Sequence, residues 1–318
     1  MRIMENNVNI KLLSMAGQGG AAFGVGLMEI MLRRGDIMVL SSDMSTPAGL
    51  DKFKNTYPDS FLNLGIAEQN MLGVAAGLAE EGFKAICVAQ ACFLSMRSFE
   101  QIRQYCGYMQ IPVVIVGIGS GFSLQQMGPT HYALEDIALM RSIPNMTVFA
   151  PCDALEAKKA LETAVEQTGP VYIRLFGGVG TPSVHREDID FAPGKSILLR
   201  QGGDVAIIAA GSMVKQAVDA AAALSEKGIE CSVADAYSLQ PFDESVIGQT
   251  AGKKLAVTIE EHHGFGGLGS IVAERINSSQ TKLLRLAVGD GILKPGSYPY
   301  MLKQAGLDSE SIANKIIE

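Results

Sequence analysis

Tryptophan is absent from the 318 residues, and no segment approaches the roughly 18 uninterrupted apolar residues that a membrane-spanning helix requires. A protein threaded through a bilayer by helices is therefore not expected. Basic runs are missing as well. With 26 Lys and Arg against 33 Asp and Glu, the formal net charge is -7, which argues against nucleic acid as a partner. Cysteine is sparse: Cys87, Cys92, Cys106, Cys152 and Cys231 are odd in number, scattered and without CxxC spacing. That pattern is expected of reduced thiols in the cytoplasm rather than of a disulfide framework. The opening MRIMENNVNIKLL shows no long apolar stretch of the signal-peptide kind, which gives the same cytoplasmic expectation. What is present is a composition 47% apolar and 19% charged, enough for a packed core and, at this length, for two domains. Thirty-five glycines suit an α/β enzyme with many tight turns between strands and helices.

The pattern along the chain supports this class. IMVLSSD, KAICVAQACF, IPVVIVGIG, MTVFAPC and PVYIRLFGG read as strands, the β-branched ones of the kind buried on both faces of a parallel sheet. Between them lie helical patterns such as GGAAFGVGLMEIMLRRGD, LSMRSFEQIRQYCGYM and ALEAKKALETAVEQ, so the first half is expected to be a doubly wound, mostly parallel sheet over residues 1–180. The stretch GGVGTPSVHREDIDFAPGKS is rich in Gly, Pro and charge and has no periodicity; residues 181–200 read as a linker, in which His185 is expected to be solvated. A second α/β unit over 201–318 then starts again with DVAIIAAG, IECSVADA, KLAVTIEEH and LLRLAV as strands.

Several residues could carry chemistry. Glu68 opens an otherwise small and apolar helix, in FLNLGIAEQNMLGVAAGLAEEG, with Gly82 as its stop. A first-turn acid is common because it complements the helix dipole. A carboxyl among Ala, Gly, Leu and Met would also be desolvated, which raises its pKa and suits a hydrogen bond to a heterocycle nitrogen. His131, in the loop MGPTHYALED after a buried strand, lies where parallel sheets bind ligands, although a surface histidine reads equally well. Arg174, a cation inside PVYIRLFGG, needs an anion, either a structural carboxylate or a ligand phosphate. His262 and His263 are adjacent on a strand and so point to opposite faces, which argues against one shared metal. Gly17, Gly19 and Ala22 form a G-x-G-x-x-A pattern with Asp43 about twenty residues on, a dinucleotide-like fingerprint that sets up an oxidoreductase alternative. Gly289-Asp290-Gly291 reads as a turn.

NLGIAEQNMLGVAAGLAEEG, QACFLSMRSFEQIRQ, GPTHYALEDIALMRSIPNMTVFAPCD and PVYIRLFGG, in that order, resemble the pyrimidine-binding domain of transketolases, and the part from Asp204, with VTIEEHHGFGGLGS, resembles their C-terminal domain. The resemblance covers nearly the whole chain. It lacks the domain whose GDG...N motif holds Mg2+ and the diphosphate, because only Asn314 follows Gly289-Asp290-Gly291. It therefore implies the C-terminal subunit of a split, thiamine diphosphate-dependent transketolase whose N-terminal, diphosphate-binding subunit is a separate chain that also holds Mg2+.

The resemblance also implies roles. Glu68 matches the glutamate that hydrogen-bonds the aminopyrimidine ring of thiamine diphosphate and favours its imino tautomer. Phe93 matches an aromatic of the pyrimidine pocket and Phe99 a further one. Met96 stands where a second aromatic is usual and could cover a ring face through sulfur. Asp43 matches an acid near the cofactor. His131 matches the histidine that faces substrate hydroxyls, and Arg174 the arginine that holds the sugar phosphate. Met127 replaces the family's aspartate of D-G-P-T-H, which suggests a ketose other than xylulose 5-phosphate, such as apulose 4-phosphate. The family's cofactor lies between chains, so an α2β2 assembly is expected, with the small-residue helix after Glu68 as a contact face. The β subunit of a thiamine-dependent 2-oxoacid dehydrogenase shares this domain order and is the alternative within the class; a non-catalytic scaffold is another.

Overall fold

A computed structural model describes residues 13, 17–177, 182–276, 281–291 and 293–318. Among the described residues, twelve strands fall into two sheets. The first takes β1 (Ile37–Ser41), β2 (Phe61–Asn63), β3 (Lys84–Gln90), β4 (Val114–Ile118), β5 (Thr147–Phe149) and β6 (Val171–Leu175). The second takes β7 (Ile197–Arg200), β8 (Val205–Ala209), β9 (Cys231–Asp235), β11 (Leu255–His263) and β12 (Lys282–Val288), while β10 (Ser238–Gln240) leaves it. In sheet order the two read β10-β5-β6-β4-β3-β1-β2 and β12-β11-β8-β9-β7. All pairings are parallel except β10 on β5 and β7 on β9. This is the two-unit, mostly parallel α/β architecture expected from the sequence.

The continuous apolar runs have their explanation in the period of two along a strand. In β3, Ala85, Cys87 and Ala89 enter one core while Ile86 and Val88 enter the other. In β4, Ile115 faces the first core and Val114 and Val116 face the second. Both faces are thus covered by helices, as parallel sheets require. The cores are not confined to their own sheets. The first continues onto Ile208, Ala234 and Ala236 of the second unit, and the core of the second unit includes Phe122, Tyr132 and Leu134 from the loop after β4.

Two expectations are corrected here. The Gly- and Pro-rich stretch is not a free linker: β7 begins at Ile197, Phe191 stacks on Tyr237 at 4.1 Å, and His185 is buried rather than solvated. Single anchors at irregular spacing carry no periodicity, so the pattern could not show them. Residues 178–181 and 1–12 of the expected boundaries lie outside the described residues. The dinucleotide pattern also fails. Gly17–Ala22 is already one helical turn running into α1 (Phe23–Met31), and buried Gln18 donates to Pro151 O. A phosphate-cradling glycine turn between strand and helix is therefore not formed there.

Helix α2 (Glu68–Glu80) buries Met71, Leu72, Ala75 and Ala76 against the first core and leaves Gln69, Asn70 and Gly77 exposed. It ends in a Schellman motif. Gly82 sits at φ +91°, its N–H reaching Ala79 O at 3.1 Å while Phe83 N–H reaches Leu78 O at 3.0 Å. No atom stands within 4 Å of where a Cβ would be, so only backbone strain opposes a side chain at this position. Gly82→Ala is expected to destabilise the chain by about 1–2 kcal/mol, the usual penalty of a left-handed non-glycine residue, readable as a shifted urea midpoint.

Candidate active site

The parallel ladder puts the carboxyl ends of β1 to β4 on one side, and the segments leaving them carry four of the candidate residues. Asp43 follows β1, Glu68 lies beyond β2, Phe93 follows β3 on α3 (Ala91–Arg97), and His131 stands in the loop after β4. This is the side on which open α/β sheets bind ligands.

Three of them form a connected line through a residue the sequence pattern left out. Glu68 is 2% exposed, and its Oε2 accepts from Arg97 Nη1 at 2.8 Å. The Arg97 guanidinium lies over the Phe93 ring, 4.5 Å from its centroid, and Phe93 meets the His131 ring edge-on at 5.3 Å. Glu68 is therefore buried as expected, but its carboxylate is not alone among apolar groups: a cation reaches it from the open side. Its Oε1 accepts no hydrogen bond among the described residues. Phe93 and Arg97 are four apart on one helix and share a face, the signal that could have singled out Arg97. His131 Nδ1 lies 2.9 Å from Thr130 Oγ1, an arrangement that turns the ring toward Phe93.

The remaining candidates are placed differently. Met96 is exposed, and Met127 is 56% exposed on the turn before Gly128. Phe99 is half-buried and packs on the first core. Asp43 is exposed at φ +55°, tied to Asn63 Oδ1 through its N–H at 3.1 Å.

Arg174 has structural partners that the sequence did not show. At 4% exposed it is enclosed, with Nε 2.9 Å from Asp136 Oδ2 and 3.1 Å from Oδ1. Its Nη2 donates to Ala133 O at 3.1 Å and to Glu261 O at 2.9 Å, and Tyr172 donates to the same Asp136 at 2.8 Å. Nε and Nη2 are thus committed to Asp136 and to backbone, while Nη1 makes no hydrogen bond among the described residues. The side chain thereby holds backbone: Ala133 bridges Gly121, so Arg174 fastens the base of the loop that carries His131. Glu261, fully covered, completes this knot by accepting from Phe122 N–H and the hydroxyls of Ser212 and Tyr298. Gly121, at φ +57°, allows the approach, since a Cβ there would stand 2.5 Å from the Glu261 carboxyl.

The two adjacent histidines part as strand neighbours do. His262 is buried, accepts Ala138 N–H at Nε2 (3.3 Å) and donates from Nδ1 to His263 O (2.7 Å), which defines a neutral ring. His263 is half-buried beside Glu135. Gly289-Asp290-Gly291 forms the bend after β12, and Asp290 and Gly291 line a cavity of about 140 Å³ with His263 and Tyr132; neither Glu68 nor Phe93 lines it. Burial lowers the His262 pKa from 6.5 to about 4. A base whose folded pKa is depressed binds fewer protons folded than unfolded between those values, so stability falls as pH drops through that window. Between pH ~7.5 and ~5 the chain is expected to lose about 2 kcal/mol more than His262→Gln does, a difference measured by urea unfolding of the two proteins.

Against this geometry stand the comparisons with known proteins. The transketolase pyrimidine-binding-domain model matches residues 18–176, and the transketolase C-terminal-domain model matches residues 194–312. The chain belongs to the transketolase family. One of the subunits of the apulose-4-phosphate transketolase of Phocaeicola vulgatus is 35% identical over 92% of this chain and 94% of its own length. The 6-deoxy-6-sulfo-D-fructose transketolase subunit of a Clostridium species is 35% identical over 90% and 89%. Among solved structures, a split-gene transketolase described as an inactive beta4 tetramer superposes with a TM-score of 0.84 at 37% identity, covering 92% of this chain and 95% of that one. The chain thus supplies the C-terminal part of a thiamine diphosphate-dependent transketolase, a transferase that works with a partner subunit. The residues present suit the aminopyrimidine half of that cofactor, with one oxygen of the buried Glu68 side chain unoccupied by any donor among the described residues and an aromatic ring one side chain away.

Proposed function

We propose that this chain pairs with an N-terminal, diphosphate-binding transketolase subunit in an α2β2 assembly and moves a two-carbon ketol unit from a ketose phosphate to an aldose phosphate. The observation that carries the reading is the line Glu68, Arg97, Phe93, His131 at the carboxyl ends of the first sheet. When bound, thiamine diphosphate supplies the electron sink for the transfer. Glu68 offers Oε1 to the aminopyrimidine and holds or shares a proton there, while Arg97 orients the carboxyl through Oε2. Phe93, with Met96 on the same helix and Phe99 on the next, covers the ring, and Asp43 borders the same side. His131 faces the hydroxyls of the sugar. Mg2+ and the diphosphate belong to the partner subunit, and the open Gly77 side of α2 is the proposed contact face.

Met127 refines the substrate. An exposed thioether where the family carries an aspartate removes a polar contact to the sugar, and the similarity to subunits named for apulose 4-phosphate and a sulfo-sugar points the same way. The reading is a modified ketose phosphate of the apulose 4-phosphate kind. The test is reconstitution. Alone, the chain should bind thiamine diphosphate poorly and turn over nothing. With its partner and Mg2+, it should prefer apulose 4-phosphate over xylulose 5-phosphate. Full activity on xylulose 5-phosphate and ribose 5-phosphate would overturn the substrate assignment, and turnover by the lone chain would overturn the half-site.

A further inference from the structure

Four buried side chains that the ketol-transfer reading leaves unused converge on one point. Cys152 lies in the turn before α4 (Ala154–Glu166), Glu156 on the first turn of that helix, His185 in the connecting segment, and Asp235 at the end of β9. One thiol, carboxylate or imidazole atom from each lies within 4.8 Å of all the others. His185 Nε2 is 3.1 Å from Glu156 Oε1 and 3.4 Å from Asp235 Oδ2. Ligand atoms around a tetrahedral zinc ion stand about 3.3–3.8 Å apart, from bonds of about 2.0–2.3 Å. The set therefore needs only a small contraction.

We propose that Cys152, Glu156, His185 and Asp235 form a structural site for a zinc-class divalent cation joining α4, the connecting segment and β9. Besides the donor set, an independent observation points to a ligand. Asp235 is completely buried, and neither of its carboxylate oxygens takes a hydrogen bond, since His185 approaches Oδ2 without aligning to donate. His185 Nε2, which faces Asp235 at 3.4 Å, is shared with Glu156 Oε1 at 3.1 Å, so the enclosed Asp235 carboxylate is left short of donors that a cation would replace. The segments are held in place by protein contacts alone. Asp153 Oδ1 accepts from Leu155 and Glu156 N–H, its Oδ2 accepts from Val184 and His185 N–H, and Glu156 Oε2 accepts from Cys152 N–H at 2.7 Å. The backbone thus presents the four donors prearranged, as a built site does.

The donor types select the metal. A sulfur, a nitrogen and two oxygens suit zinc better than magnesium or calcium, which take oxygen alone. Four protein ligands leave no open position, which marks a structural and not a catalytic ion. Burial and then the charge of Asp235 push the Cys152 thiol well up, so the sulfur is protonated until a cation binds, and binding as thiolate releases that proton to solvent.

The experiment uses the full-length chain, stripped with a chelator, dialysed and titrated with zinc, and separately with cobalt(II) as a spectroscopic stand-in. The expected result is one zinc per chain by elemental analysis. Cobalt should give tetrahedral visible bands together with a near-ultraviolet thiolate charge-transfer band. Cys152→Ser should remove only the charge-transfer band, and Asp235→Asn should weaken zinc binding more than about tenfold. A folded wild-type chain, checked by circular dichroism, that takes up no zinc and shows no cobalt bands would overturn the proposal and leave a proton-bridged cluster. Cobalt bands unchanged in folded Cys152→Ser would overturn it equally. Neither readout depends on the partner subunit, so failure here is distinct from failure of the ketol-transfer reading.

Discussion

Glu68→Gln, assembled with the partner subunit, is expected to lower turnover roughly 10²–10⁴-fold, the range over which a positioned acid–base group acts. Glutamine keeps the shape of the side chain, and its carbonyl can still accept from Arg97, so folding and assembly should persist. What it cannot do is hold or share a proton toward a ring nitrogen. Steady-state kcat of the reconstituted complex, beside size-exclusion profiles of both proteins, makes the measurement. A variant within a few-fold of the wild-type rate would mean that the buried carboxyl at the head of α2 is merely a first-turn acid. Arg97→Ala adds a control. Loss of a half-exposed orienting cation should lower kcat less than loss of the carboxyl itself, because only the orientation of Oε1 is disturbed.

Asp136→Ala carries the largest expected loss of stability, about 3–5 kcal/mol, because it strands the enclosed Arg174 charge. Asp136 is fully buried and Arg174 nearly so, and Tyr172 shares the same carboxylate, so the variant leaves a buried charge and a buried hydroxyl without their common acceptor. Arg174→Met is expected to be destabilised to a similar degree. The contrast with a residue that only held substrate phosphate is direct. Such a residue would raise KM when replaced and leave the urea midpoint unmoved. Here the midpoint should move by most of its range. Substrate binding should suffer as well, as Ala133 and the His131 loop lose their anchor.

Much of the architecture was legible because β-branched runs and glycine turns alternate at regular intervals, and the ordered motifs around Glu68, Phe93 and His131 named the family. What stayed hidden was partnership. Nothing in PVYIRLFGG distinguishes an arginine facing a ligand from one facing Asp136, since both satisfy a buried charge. Glu68 read as desolvated because its sequence neighbours are small and apolar; the partner that changes its surroundings, Arg97, arrives from a helix 29 residues away. His185 and Phe191 read as linker residues because isolated anchors have no period. The cluster of Cys152, Glu156, His185 and Asp235 draws on three separate segments, and no spacing rule connects them.

Strand β10 has a consequence for how this polypeptide can be cut. It leaves the second sheet after β9 and pairs Ser238 with Phe149 along the otherwise open side of β5. A fragment ending near residue 177 would match the pyrimidine-binding model almost completely and still present β5 as a bare, ladder-ready margin, an invitation to intermolecular pairing. The split-gene transketolase structure, matched over 95% of its length, likewise carries both units on one chain. A division between them would not be tolerated easily, because the stitch holding the first sheet closed is made with thread from the second.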